Sequence, residues 1–286
     1  MCGFHFTPSA STIRVYLNAR ESQMRKITDI TQNVYCVTVG TGTSTALAPP
    51  NAYFITKNNQ AVFIDSAYGK HDEIEALLDC WKSHGKPHIA GIILTHRHKD
   101  HIGGSVELAK VTGGKLICNT LEKNSIQQSL NGYKIEKLIP SNGEMFILDG
   151  VTLELIHTPG HTNGSLCVYY AEQNILFTGD TILSTGSTSI SPEHGDMTQY
   201  INSLQNLLKY ESKMICPGHG SVITQTRITI EKLIERRMFR ENQILELLQK
   251  EPRTIDDIFD NIYSSLDDIL HNTARGQILS HLIKLE

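Results

Sequence analysis

The densest chemistry in the chain lies in Thr95-His96-Arg97-His98-Lys99-Asp100-His101, directly behind the apolar run Ile89–Leu94. Polar groups packed so closely need a shared partner if they are to be buried. On extended backbone His96 and His98 project to one side. Asp100 and His101 follow where the chain begins to turn, so one short loop can serve two neighbouring metal positions. Imidazole and carboxylate suit zinc, and also iron or manganese.

That loop cannot fill two coordination shells by itself. Three other segments each place one ligand-type residue on a glycine-containing turn behind an apolar run: Thr158-Pro159-Gly160-His161-Thr162, Phe177-Thr178-Gly179-Asp180-Thr181 and Cys216-Pro217-Gly218-His219-Gly220. Such strand-end turns can converge on a common edge. Thr95, Thr162 and Thr181 are candidates to hydrogen-bond the ligands. His194, on the loop Ser191-Pro192-Glu193-His194-Gly195, is a candidate substrate contact. His157 is expected to face away from His161, and His5, His71, His84, His88, His271 and His281 to lie on the surface. Arg97 and Lys99 alternate outward and are expected on a solvated face.

The elements that must position these residues are legible from about residue 27. Val34–Val39 reads as a strand. Ala52–Thr56 and Ala61–Ser66 read as a hairpin around Lys57-Asn58-Asn59-Gln60. His71–Ser83 has helical apolar spacing, and Ile89–Leu94 suits a strand buried on both faces. Val106–Val111 reads as a helix and Lys115–Cys118 as a strand. Met145–Leu148 and Val151–Ile156 flank Asp149-Gly150, a type I′ hairpin signal. Leu166–Tyr170 and Asn174–Thr178 form another pair, Thr198–Tyr210 a helix, and Lys213–Cys216 a last strand. The style then becomes helical: Ile228–Gln249, Thr254–Tyr263 behind a capping signal at Thr254, and Leu266–Leu285. Arg236, Arg237 and Arg240 lie together on the first of these. Pairing with Glu231, Glu235 and Glu241 is the simpler account of them, and a substrate-anion role the alternative. Leu233, Ile234, Ile244, Leu245 and Leu248 are expected to pack on the main domain.

Length and composition permit one sizeable core and an appendage: 286 residues, 40% hydrophobic, 20% charged, formal net charge -4. No global basic field draws nucleic acid, and no apolar run approaches the roughly 20 residues that span a bilayer. Six scattered cysteines without a C-x-x-C pair read as buried thiols of a reducing compartment. Residues 1–24 read as a disordered extension or an over-extended start, with Met24 as initiator. The expected location is cytoplasmic, or mitochondrial if that segment is a transit peptide. The expected domains are 25–225, catalytic, and 226–286, helical.

Over about residues 27–223 the chain resembles the metallo-β-lactamase superfamily. The resemblance is carried by Thr95-His96-x-His98-x-Asp100-His101, His161, Asp180 and His219, in that order. It implies an α/β (α+β) four-layer αββα sandwich with the metals at one edge. It further implies that His96, His98 and His161 hold one metal, that Asp100, His101 and His219 hold the other, and that Asp180 bridges them. A closer resemblance, to the β-lactamase-like protein 2 group with its single-strand RNA endonucleases, rests on Tyr200-Ile201-Asn202-Ser203-Leu204, Pro217-Gly218-His219-Gly220 and Arg240-Glu241-x-Gln243-Ile244-Leu245. It implies a small winged-helix-like C-terminal domain. That domain is expected to be truncated, because the chain ends about where a wing would begin, and its tail is not net basic.

Two metals sharing a water would lower its pKa toward roughly 7, so a dinuclear hydrolase using two Zn2+ (or Mn2+ or Fe2+) is expected. Asp180 would hold the spacing and Asp100 would orient the attacking hydroxide. The expected substrate is an ester, thioester or lactone of a small metabolite, as in hydroxyacylglutathione hydrolases. The alternative is single-stranded RNA, cut as a phosphodiester. A non-catalytic, metal-stabilised binding protein fits less well, since a structural site needs one closed shell. The loops around 41–51 and 183–197 are expected to build the substrate pocket.

Overall fold

The computed structural model describes residues 26–40 and 48–286, together with the backbone of 15–17. The expectations for the rest of the N-terminal 24 residues, for Cys2 and His5, and for most of the 41–51 loop lie outside the described residues. Two sheets stand face to face. The first runs in the order β1 (Val15–Leu17), β2 (Lys26–Thr31), β3 (Val34–Thr38), β4 (Asn51–Lys57), β5 (Gln60–Ile64), β6 (His88–Ile93), β7 (Leu116–Asn119) and β8 (Lys137–Ile139). It is antiparallel up to β5 and parallel from β5 to β8. The second contains β9 (Glu144–Leu148), β10 (Val151–His157), β11 (Leu166–Tyr170), β12 (Ile175–Gly179) and β13 (Met214–Pro217). Its first four strands are antiparallel, and β13 joins β12 in parallel.

Strand alternation decides the layering. In β4 and β5, Tyr53, Ile55, Val62 and Ile64 point between the sheets and meet Leu153, Leu155, Val168 and Phe177 from the second sheet. Their neighbours Phe54, Ala61 and Phe63 point outward beneath helices α1 (His71–Ser83), α3 (Ser105–Thr112) and α4 (Lys123–Ser129). A four-residue helix, α2 (Lys99–Ile102), lies within the histidine loop. The far face of the second sheet offers Cys167 and Leu176 to α5 (Met197–Leu207) and α6 (Thr226–Leu248). Two sheets with helices on both outer faces make the αββα sandwich. A separate cluster forms where Ile244 of α6 meets Ile258 and Phe259 of α7 (Ile255–Tyr263) and Ala274 and Ile278 of α8 (His271–Leu285).

Several expectations are corrected. Ile244 and Leu248 belong to that last cluster, whereas Leu233 and Ile234 do pack on the main sandwich. The length of α6 carries its two halves to different cores. The expected helix Leu266–Leu285 is broken by a 3-10 turn, Asp268–Leu270, that Asp267 caps through Ile269 N. The Asp149-Gly150 hairpin forms, but only Gly150 takes a positive φ, so the turn is not type I′. Lys57 Nζ and Asn58 Nδ2 donate to its two carbonyls. Asn58 and Asn59 both take positive φ in the preceding hairpin. His281 is fully buried beside Glu241, and His84 and His271 are half-buried. The one-sided period of a helix does not reveal which histidine meets a second helix. The five described cysteines are free and buried, and no helix among the described residues is long and apolar enough to cross a membrane.

Leu153 is completely buried between the sheets, so Leu153→Ala is expected to cost about 2–5 kcal/mol in denaturant unfolding. Burial pushes the His281 imidazole down to about 4, against the bond to Glu241. Between that value and the ordinary 6.5 the unfolded chain binds a proton that the folded chain refuses, so stability is lost as pH falls through this window. His281→Gln removes this loss. Unfolding at pH 7 and pH 5 should show the wild type losing ground to the variant.

Candidate metal centre

Every metal-type residue singled out in the sequence stands at or just beyond the C-terminal end of a strand. β6 delivers the loop from His96 to His101, β10 leads to His161, β12 to Asp180, and β13 to His219. The structure brings their donor atoms into two groups, each with its atoms within 4.8 Å of one another. One holds His96, His98, His161 and Asp180, and the other Asp100, His101 and His219. Asp180 also reaches the second group, with Oδ1 3.3 Å from His101 Nε2 and 3.5 Å from His219 Nε2. Its Oδ2 lies 3.8 Å from His161 Nε2. His194 sits half-buried at the rim, its ring edge-on to His98 with centroids 5.7 Å apart.

The imidazoles are aimed by what their outer nitrogens do. Nδ1–H of His101 donates to Asp65 Oδ2, that of His161 to Ser189 O and that of His219 to Ala48 O, each at 2.7 Å. Thr95 Oγ1 donates to Asp65 Oδ2 and so accepts from His96 Nδ1 at 3.0 Å. Four Nε2 lone pairs are thereby turned inward. His98 instead presents Nδ1, which lies 3.0 Å from Nε2 of both His96 and His161. His101 Nε2 and His219 Nε2 face each other at 3.3 Å. Lone pairs that converge in a buried site repel unless a cation lies between them. Asp180 Oδ1 is likewise buried without a hydrogen-bond partner. The donor set therefore fits divalent metal.

The electrostatics divide the cluster. Burial holds His96 well below the ordinary imidazole range, brings His98 down to about 3 and lowers His161, with neighbouring histidines adding to the effect. Burial opposes protonation of His101 too, but Asp180 and Asp65 outweigh it and raise that imidazole. His219 is raised against burial by Asp100. Asp180 stays well below the carboxylate range, because His101 overcomes the penalty of burial.

Sequence reasoning missed the residue that aims the loop. Asp65, just past β5, accepts from Thr95 N and Thr95 Oγ1 at 2.8 Å each and from His101 Nδ1. It holds a positive φ of 62°, a conformation that costs a non-glycine residue on the order of 1–3 kcal/mol. The available signal was an acid ending the apolar run Ala61-Val62-Phe63-Ile64. Arg97 is also corrected. It forks onto the fully buried Glu122, whose Oε1 accepts from Gly164 N as well. This pair ties the His96–His98 segment to the turn that follows His161. Glu122 arrives in a 3-10 turn behind β7, where no periodicity announces it. Lys99 is exposed as expected.

Of the three candidate threonines only Thr95 meets a ligand. Thr162 bonds Ser165, and Thr181 bonds Thr158. Thr188 takes a role that was not anticipated, its hydroxyl donating to Asp180 O at 2.7 Å. The His219 turn is strapped to the first sheet by Asn51, whose Nδ2 donates to Pro217 O and Gly220 O. A Cβ on Gly218 would stand 2.5 Å from Asp180 Oδ1, so a side chain there would push into the donor cluster.

A family model described as the metallo-beta-lactamase superfamily matches residues 46–219, and one described as a beta-lactamase associated winged helix domain matches residues 254–286. Among curated proteins the chain is similar to an atrochrysone carboxyl ACP thioesterase of Aspergillus fumigatus, 29% identical over 72% of this chain and 63% of that protein. It is also similar to the beta-lactamase-like protein 2 homologs of Caenorhabditis elegans, 29% identical over 75% of this chain and 70% of that one, and of Drosophila melanogaster, 27% identical over 91% and 90%. Among solved structures, a metallo-beta-lactamase family protein of Thermus thermophilus shares the fold with a TM-score of 0.72. It is 20% identical and covers 90% of this chain and 94% of that one.

Asp65→Ala removes three bonds that aim the donors without removing a donor. Metal affinity should fall about 10–100-fold, read by competition with a coloured chelator, while the circular dichroism of the folded chain persists.

Proposed function

The chain belongs to the metallo-beta-lactamase superfamily and is a hydrolase, and from that premise we propose that it cleaves an ester, thioester or lactone of a small metabolite at a dinuclear zinc centre. The observation that carries this reading is the pair of donor groups sharing Asp180, with four Nε2 atoms turned inward by fixed acceptors. Bound there, divalent ions supply Lewis acidity and a nucleophile at neutral pH. The histidine and carboxylate set suits Zn2+, and Mn2+ or Fe2+ as well.

The chain's own residues do the rest. Asp180 spans both groups and keeps them at one spacing. Asp100 is the more open carboxylate of the cluster, its side chain 14% exposed against 8% for Asp180, and it lies 3.3 Å from His219 Nε2. Its role in this reading is to orient the attacking hydroxide. His194 at the rim beside His98 can donate to the substrate or its leaving group. The thioesterase named among the relatives supports the acyl reading. Free, buried cysteines support a reducing compartment such as the cytosol.

Cleavage of single-stranded RNA is the second reading, favoured by the two beta-lactamase-like protein 2 relatives and the winged-helix match. Against it stands the charge of residues 254–286. Asp256, Asp257, Asp260, Asp267, Asp268 and Glu286 face only Arg275 and Lys284. Such a balance repels the phosphate backbone that dominates affinity for nucleic acid.

Zinc-loaded protein is expected to turn over a glutathione thioester and to leave a short single-stranded RNA intact, with metal-stripped protein inactive on both. RNA cleavage without thioester turnover would replace the first reading with the second. Asp180→Asn should lower bound metal and turnover together, each by about tenfold or more. Full retention of both would remove Asp180 from the site.

A further inference from the structure

Arg236, Arg237 and Arg240 of α6 do not pair with the glutamates beside them. Glu231 is taken by Arg227, and Glu241 by Lys284 and His281. The hydrogen bonds of the three go instead to neutral oxygens. Arg236 donates to Gly186 O and Ser187 Oγ, Arg237 to Gln277 Oε1 and Thr188 O, and Arg240 to Gln243 Oε1. Arg237 is 6% exposed, and its Nε is buried with no partner. Two of the guanidinium groups lie over aromatic rings, Arg237 over Tyr200 at 5.2 Å and Arg240 over Tyr263 at 4.3 Å. Stacking leaves the in-plane N–H donors available.

All three line one cavity of about 280 Å³ between α6, α8 and the loop behind β12. Its lining contains no carboxylate, and one wall is apolar, made by Tyr263, Leu266 and Leu270. Three like charges gathered without a counter-charge repel one another. A dianionic oxyanion relieves that repulsion and takes short charge-assisted bonds from the guanidinium forks. The volume suits one small molecule and not an extended strand.

We propose that this cavity binds a small phosphomonoester, its phosphate held by Arg236 and Arg240 beside the buried charge of Arg237, and its organic body against Tyr263 and Leu270. Thr188 connects this site to the metal centre, its carbonyl accepting from Arg237 and its hydroxyl donating to Asp180 O. The assignment is independent of which substrate the metal centre cleaves.

The test is calorimetric titration of phenyl phosphate, inorganic phosphate and benzyl alcohol into the metal-loaded full chain, in four versions: wild type, Arg236→Gln, Arg240→Gln and Arg227→Gln. The last alters an arginine already paired on the surface. Arg236 is exposed and Arg240 half-buried, so both variants should melt as the wild type does. Phenyl phosphate is expected to saturate one site, and each of the two cavity variants to weaken it by about tenfold or more, with Arg227→Gln unchanged. Benzyl alcohol should not bind measurably. Absence of saturable binding would overturn the proposal, as would equal affinity in all four chains, the result of capture at the metal centre. Equal affinity for inorganic and phenyl phosphate would overturn the assignment of an organic ligand and leave a free-phosphate site.

Discussion

One buried carboxylate holds both ends of the histidine loop. Asp65 grips the backbone and hydroxyl of Thr95 where the loop begins and the ring of His101 where it ends. The loop carries four donors of the cluster, so its curvature decides whether they converge. Asp65 adopts a left-handed backbone conformation to make these bonds. The strain is small beside the cost of leaving a buried carboxylate and a buried imidazole unpaired. Ser66, the next residue, reinforces the grip by donating its amide and hydroxyl to the His101 carbonyl.

The two sheets matter to the site mainly for where their strands end. Parallel pairing of β5 with β6, and of β12 with β13, sends consecutive strand ends to the same edge. Ligand loops can therefore meet there although they lie far apart in the chain. Cross-links between the loops then set the distances. Arg97 and Glu122 tie the first loop to the His161 turn, and Asn51 ties the His219 turn to the first sheet. Both links are largely shielded from water, where removal of one partner strands the other and costs more than a surface pair can contribute.

The C-terminal helices touch this arrangement through α6. Its first half packs on the second sheet, and its second half forms a core with α7 and α8. Arg237 lies between the two regions, bonded to Gln277 of α8 and to Thr188 of the loop that also holds Asp180. A helix long enough to serve two cores thus brings positive charge close to the segment that steadies Asp180. Ser280 of α8 adds a second tie to that loop by donating to Ile190 O.

The sequence by itself determined the donor types, the strands that precede them and most of the helices. Those properties are local: apolar period, glycine turns and dense clustering of histidine with aspartate. The long strands and helices were legible because each needs one face buried whatever lies opposite. Tertiary structure alone decided that Asp65 anchors the loop, that Arg97 turns inward to Glu122, that His281 is buried, and that Arg236, Arg237 and Arg240 leave their neighbouring glutamates. The deciding partners come from other elements, 25 positions away for Arg97 and Glu122 and 36 for Asp65 and His101. No local pattern encodes such a partner, because the free energy that selects it exists only once both segments have been removed from water together.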